Sequence, residues 1–157
     1  MGMKQTIAIA SPLSGEVIRL EQVPDQAFAL KHMGDGVAII PTNGRLLAPF
    51  DGIVLHLVST KHAIIIQHAS GLQLLVHFGL NTVGLQGDGF IAHVANGDQV
   101  SAGQLMMEID LEYIQSLGYS TWTPIVVANE DYRVEIDSDY KTVLAGDSGM
   151  MNVVLPV

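Results

Sequence analysis

The feature that most limits the fold of this chain is its punctuation. Five Asx-Gly dipeptides, Asp35-Gly36, Asn43-Gly44, Asp51-Gly52, Asp88-Gly89 and Asn96-Gly97, recur between short apolar runs. Such pairs suit tight turns with positive φ, which glycine enters without steric cost. The runs between them include "GVAIIP", "GIVLHLV", "HAIIIQ", "LQLLVHF", "QLMMEI", "IVVAN" and "KTVLA". Short strands at this spacing predict an all-β sandwich or barrel. One helix is expected in "DLEYIQSLG", where Asp110 caps the start, Gly118 ends it, and Tyr113, Ile114 and Leu117 form an apolar side. A second helical turn fits "PDQAFALKH".

Composition narrows the function. A length of 157 residues without an internal linker is one domain's worth, and 48% hydrophobic against 15% charged residues describes a well-buried globular chain. No apolar run reaches the ~18 residues needed to span a bilayer, and the start, "MGMKQTIAIASPLSGEV", lacks the pattern of a signal peptide. A cytoplasmic protein without stable membrane insertion is therefore expected. The chain has no cysteine, so it has neither disulfides nor thiol chemistry. Its formal charge of −9, without a basic stripe, argues against nucleic acid and favours a basic protein partner.

Chemistry concentrates in "TKHAIIIQHASGLQLLVHFG", residues 60–79, which holds three of the six histidines. If "HAIIIQ" pairs with "LQLLVH" as a hairpin, the loop length decides where His62 and His77 point. An even loop puts both on one face, and even loops are the commoner tight hairpins. An odd loop puts them on opposite faces. Two facing imidazoles can do chemistry: a neutral ring nitrogen is a competent nucleophile near pH 7, and the second ring can donate to charge developing beside it. As a metal site the pair falls one or two ligands short for zinc, and no resident metal is expected. Thr60 is placed to fix the tautomer of His62, the Gly79 carbonyl to orient His77, and Leu75, Phe78 and Leu80 to form an apolar rim around it. The bland alternative is a pair of satisfied histidines in a sheet.

The segments "IASPLSGEVI", "GDGVAIIPTNG", "LAPFDGIV", "TKHAI", "LLVHFGLNTV", "LQGDGF" and "STWTPIVVAN", in this order, resemble the glucose-type enzyme IIA domain of the bacterial phosphoenolpyruvate-dependent sugar phosphotransferase system. The resemblance runs from about Ile7 to about Ala145. It implies an antiparallel β-sandwich or flattened barrel of the barrel-sandwich hybrid type, with residues 1–157 as a single enzyme IIA domain. It also implies a phosphotransferase component, not a free-standing kinase. The phosphocarrier HPr donates a phosphoryl group to Nε2 of the histidine matching His77, and an enzyme IIB cysteine takes it on for sugar uptake. The glycine matching Gly79 holds Nδ1 of that histidine; His62 matches a histidine that steadies the phosphoryl group, and Thr60 a threonine that orients it. Phe28, Val58 and Leu75 match apolar docking positions. No cofactor is implied. The absence of G-x-x-x-x-G-K-[ST] and G-x-G-x-x-G agrees with a phosphate source other than bound nucleotide, and without cysteine the acceptor thiol must lie on another polypeptide or domain.

Departures from the family pattern are local. Asn81 stands where many members have Asp and Val58 and Leu75 where some have aromatics, and because the sequence starts almost directly at the domain, the membrane-touching basic segment of some members is not expected. Two rival folds fail on motifs: a biotinyl or lipoyl carrier needs "MKM" or "DKA", and a zinc peptidase of similar fold needs H-x-H and H-x-x-x-D. The rival function is a regulatory module that controls transporters or kinases through the same surface, with a metal bridging the histidines to a partner carboxylate. His56 and His93 have no partner pattern, His68 is expected to be solvated at a turn, and His32, near "MGDG", is expected at the edge of the docking ring. Asp35 and Asp51 read as turn formers, and "NEDYRVEIDSD", 129–139, as a solvated acidic surface.

Overall fold

Apolar side chains on both faces of its central strands give this chain a layered architecture. The structure, a computed structural model, describes residues 5–136, 140–148 and 150–156. Its strands are β1 (Thr6–Ile9), β2 (Gly15–Arg19), β3 (Asp35–Pro41), β4 (Arg45–Leu47), β5 (Gly52–Leu57), β6 (Ala63–His68), β7 (Gln73–His77), β8 (Phe90–Ala92), β9 (Gln99–Val100), β10 (Leu105–Ile109), β11 (Thr123–Val127), β12 (Arg133–Glu135), β13 (Thr142–Val143) and β14 (Met151–Val154). Two short helices, α1 (Gln26–Ala29) and α2 (Leu111–Ser116), complete it. Eight strands form one sheet in the order β13-β2-β3-β11-β7-β6-β5-β9, and two three-stranded sheets, β1-β14-β12 and β4-β10-β8, lie apart from it. The strand pairs are antiparallel. The large sheet stays open, so the fold is the expected sandwich and not a closed barrel.

The main core joins Ile64, Ile66, Leu74, Val76, Ile125 and Val127 of the large sheet to Ile9, Met151 and Val153 of one small sheet and to Leu46, Met107 and Phe90 of the other. Burying each such side chain contributes about 1.5–3 kcal/mol. The alternate residues of the same strands, Ala63, Ile65, Leu75 and Val126, point the other way into a second apolar layer. Leu20, Val23 and Phe28 cover that outer face. The covering segment is pinned by Asp25, whose carboxylate accepts from Ala27 N at 3.0 Å and caps α1. This outer layer carries the candidate site. Among the described residues, no helix is long and apolar enough to cross a membrane.

Several expectations need correction. Gly89 (φ 91°) and Gly97 (φ 89°) are left-handed as anticipated, but Gly36, Gly44 and Gly52 are not. A Cβ at those three positions would come within 2.0 Å of Ile125 O, 1.7 Å of Ile109 O and 2.4 Å of Gln67 O. There the glycine permits close approach of a neighbouring strand, not a turn. The capped helix is in place, with Asp110 accepting from Tyr113 N at 3.1 Å and Gly118 left-handed just beyond it. Only Ile114 of its expected apolar side is buried; Tyr113 and Leu117 are exposed.

The β6–β7 hairpin corrects the loop expectation. Its register runs from Ala63↔His77 to Gln67↔Gln73, and His68 N donates to Leu72 O at 2.8 Å, which leaves an odd tip, 69–71. Gly71 (φ 94°) supplies the left-handed third residue that a three-residue loop requires. His68 is half-buried, with Nδ1 accepting from Ser70 N at 3.1 Å and its ring edge-on to Phe50 at 5.2 Å. The acidic stretch is more than a solvated surface. Asn129 accepts from Gln73 N at 2.7 Å, and the Tyr132 hydroxyl donates to Ser70 O at 3.0 Å. Its residues 137–139 lie outside the described residues.

Candidate functional site

With an odd loop, strand alternation by itself sends His62 and His77 to opposite faces. The rings nevertheless meet, with centroids 5.0 Å apart and planes at 79°. His77 ends β7 on the outer face, in line with Leu75. His62 lies before β6, in the loop 58–62 that joins it to β5, so the strand's alternation does not bind its side chain. Proximity therefore has a different cause from the one expected from parity.

Each ring is held at one nitrogen. His77 Nδ1 is 2.9 Å from the carbonyl oxygen of Gly79. A carbonyl only accepts, so Nδ1 carries the hydrogen and Nε2 keeps its lone pair. The carbonyl reaches back because Gly79 is left-handed at φ 72°. A Cβ there would fall 2.5 Å from Thr82 Cγ2 and 2.7 Å from Ser120 O, so no other residue fits. Two contacts that the sequence reading missed fix this turn: the buried Thr82 hydroxyl donates to Phe78 O, and Leu80 N donates to Ser120 O at 3.1 Å. No sequence pattern announces either. His62 Nδ1 lies 2.8 Å from Thr60 Oγ1.

Burial lowers the pKa of His77 below the ordinary 6.5, outweighing the Gly79 carbonyl and the more distant Asp25, which favour the cation. Burial also lowers that of His62, and the charge of His77 adds to it. Both rings are therefore neutral at pH 7. One offers a nucleophilic nitrogen and the other a hydrogen-bond donor or acceptor to whatever His77 binds. Two imidazoles supply a divalent cation with only part of the set it takes in proteins, and no group of three His, Asp or Glu gathers among the described residues.

The apolar surroundings are more enclosed than a docking rim. The Phe28 ring stands 5.0 Å from His77, but Phe28 and Leu75 are only 4% and 7% exposed. Phe78 points into the main core and Leu80 into the outer layer. Val58 is half-buried against that layer, as are Ile40, Ile65 and Trp122, the last a residue that the sequence reading did not place. Asn81 is exposed and left-handed at φ 61°. The remaining histidines do not join the pair. His32 and His56 are exposed, and His93 Nε2 lies 2.8 Å from Glu108 Oε2, a partner that was not expected.

The comparisons with known proteins agree with one another. The chain is 42% identical to the PTS system glucose-specific EIIA component of Oceanobacillus iheyensis, over 94% of this chain and 90% of that protein. It is 47% identical to part of the PTS system glucose-specific EIICBA component of Staphylococcus saprophyticus, covering 88% of this chain but only 20% of that protein. Among solved structures, glucose permease IIA from Mycoplasma capricolum superposes with a TM-score of 0.88 at 33% identity, over 96% of this chain and 99% of the other. The family model for the phosphoenolpyruvate-dependent sugar phosphotransferase system, EIIA 1, matches residues 7–132. On sequence and fold alike, the chain belongs to this EIIA family.

Proposed function

We propose that residues 1–157 act as a single cytoplasmic enzyme IIA domain that relays a phosphoryl group through His77. Phospho-HPr is the donor and an enzyme IIB cysteine the acceptor. In the first step the lone pair on His77 Nε2 attacks phosphorus, a new N–P bond forms, and the N–P bond to the HPr histidine breaks. In the second step an EIIB thiolate takes the same group and His77 returns to its starting state. The observation that carries this reading is the 2.9 Å contact between His77 Nδ1 and the Gly79 carbonyl, which leaves Nε2 as the basic nitrogen. In this reading the Thr60 hydroxyl, 2.8 Å from His62 Nδ1, donates to it, and His62 presents Nε2–H to the phosphoryl oxygens. Phosphoryl transfer needs this kind of positioning and charge stabilisation more than covalent machinery. Val58, with the enclosed Phe28 and Leu75 behind it, lies on the surface on which we place the partners. Relatives that join EIIA to EIIB and EIIC in one chain support an EIIB acceptor, and their names support glucose as the sugar.

The test is incubation with phosphoenolpyruvate, enzyme I and HPr, then with the EIIB domain. Wild-type chain takes up one acid-labile phosphate and surrenders it to EIIB. His77→Gln takes up none; label on that variant would overturn the proposal.

A further inference from the structure

Among the described residues, left-handed backbone outside glycine is confined to Lys31 (φ 62°), Lys61 (φ 62°), Asn81 (φ 61°) and Gln86 (φ 52°). All four lie on segments that frame the histidine pair. Lys31 closes the turn after α1, which carries Phe28. Asn81 follows Gly79 by two residues. Gln86 precedes Gly87, where an added Cβ would lie 3.8 Å from Thr60 O. Such conformations are unfavourable for residues with a Cβ and gather where geometry has a use.

Lys61 is the one whose conformation has a visible consequence. The β5–β6 pairing runs out at Leu57↔Ile64, and Val58 N then donates to Ala63 O at 3.1 Å across the loop 59–62. Lys61 N donates to Val58 O at 2.9 Å, closing a turn whose last residue is the left-handed Lys61. Glycine is the usual occupant of such a position. On the other side of the loop, Phe78 N donates to His62 O at 2.7 Å, which sets His62 opposite a side chain buried in the main core. Extended backbone continued back from β6 would send the His62 ring toward the core with Phe78. Instead it stands 5.0 Å from His77 on the outer face.

We propose that Lys61 is a positioning residue whose left-handed backbone, and not its ammonium group, turns the His62 imidazole out of strand alternation and onto His77. Its value for transfer rests on the relay proposed above, but the juxtaposition it creates can be measured without any phosphate.

The test compares Lys61→Gly and Lys61→Asn, which accept left-handed backbone without the ammonium, with Lys61→Val, which resists it, and with the milder Lys61→Ala. Three quantities are read: cross-relaxation between the His62 and His77 ring protons, the rate of transfer from phospho-HPr, and the urea unfolding midpoint. Gly and Asn keep the cross-peak and transfer within about twofold of wild type, as for a surface change of no structural consequence. Val loses the cross-peak and slows transfer on the order of a hundredfold. Ala falls between them and decides the matter if Val does not fold. A Gly or Asn variant as slow as Val would overturn the proposal in favour of the charge, and so would a Val or Ala variant with an undiminished cross-peak. If wild-type chain takes no phosphate while the cross-peaks follow the predicted order, the relay falls and the positioning role stands.

Discussion

His77 and His93 are the same side chain in two settings. His93 follows β8, is 40% exposed, and meets Glu108 at 2.8 Å, with Arg45 3.9 Å from the same carboxylate. That arrangement is a solvated surface network, worth at most about 1 kcal/mol. His77 faces a neutral carbonyl at 2.9 Å, packs against Phe28 and His62, and has a pKa lowered by burial. The pair of settings separates two uses of imidazole. His93 shares an exposed carboxylate, whereas the Gly79 carbonyl fixes one tautomer of His77 and burial in the apolar layer disfavours its cation. The second setting suits a nucleophile, and a histidine count cannot distinguish the two.

Substitutions at both sites can break or sharpen this contrast. The largest expected effect is on transfer itself: His77→Gln abolishes phosphate uptake from phospho-HPr, while His93→Gln leaves its rate within about twofold. Equal losses would mean that the difference in setting is irrelevant. Next, His62→Ala slows transfer about a hundredfold, the usual result of removing one donor to developing charge, with unfolding free energy nearly unchanged. A third contrast uses glycines. Gly97, beyond His93, is left-handed at φ 89° with nothing within 4 Å of an added Cβ, so Gly97→Ala costs about 1 kcal/mol in urea unfolding. Gly79→Ala meets Thr82 and Ser120 as well, and costs about 3 kcal/mol. The smallest effect is pH dependence. Burial puts the folded-state pKa of His62 and His77 below 6.5, so the unfolded chain binds more protons just under that pH. Stability is then full above about pH 6.5 and declines as pH falls toward the folded-state values. His77→Gln makes this decline shallower, as measured by urea midpoints between pH 5 and 8, a range chosen to bracket histidine titration.

What could be read from the sequence was local. Asp110 and Gly118 delimit α2 because capping and left-handed glycine act within a few residues. The apolar runs of β6 and β7 announce strands, but not that both their faces are covered, because the covering segment with Leu20, Val23 and Phe28 comes from elsewhere in the chain. Parity failed at Gly71, whose left-handed backbone makes an odd loop, and the site survived because His62 stands outside its strand. Gly36, Gly44 and Gly52 look like turn formers in one dimension and are strand-contact residues in three. The Thr82–Phe78 and Leu80–Ser120 bonds that hold the Gly79 carbonyl depend on tertiary placement and have no sequence signature.

Relay through His77 depends on which nitrogen of its ring is basic. The most direct measurement is two-dimensional NMR of ring-labelled protein, resolving nitrogen–phosphorus coupling after phosphorylation and the tautomer before it. Hydrogen on Nδ1 is expected in the free protein and phosphorus on Nε2 in the phosphorylated one. Phosphorus on Nδ1, or a free ring protonated at Nε2, would contradict that relay.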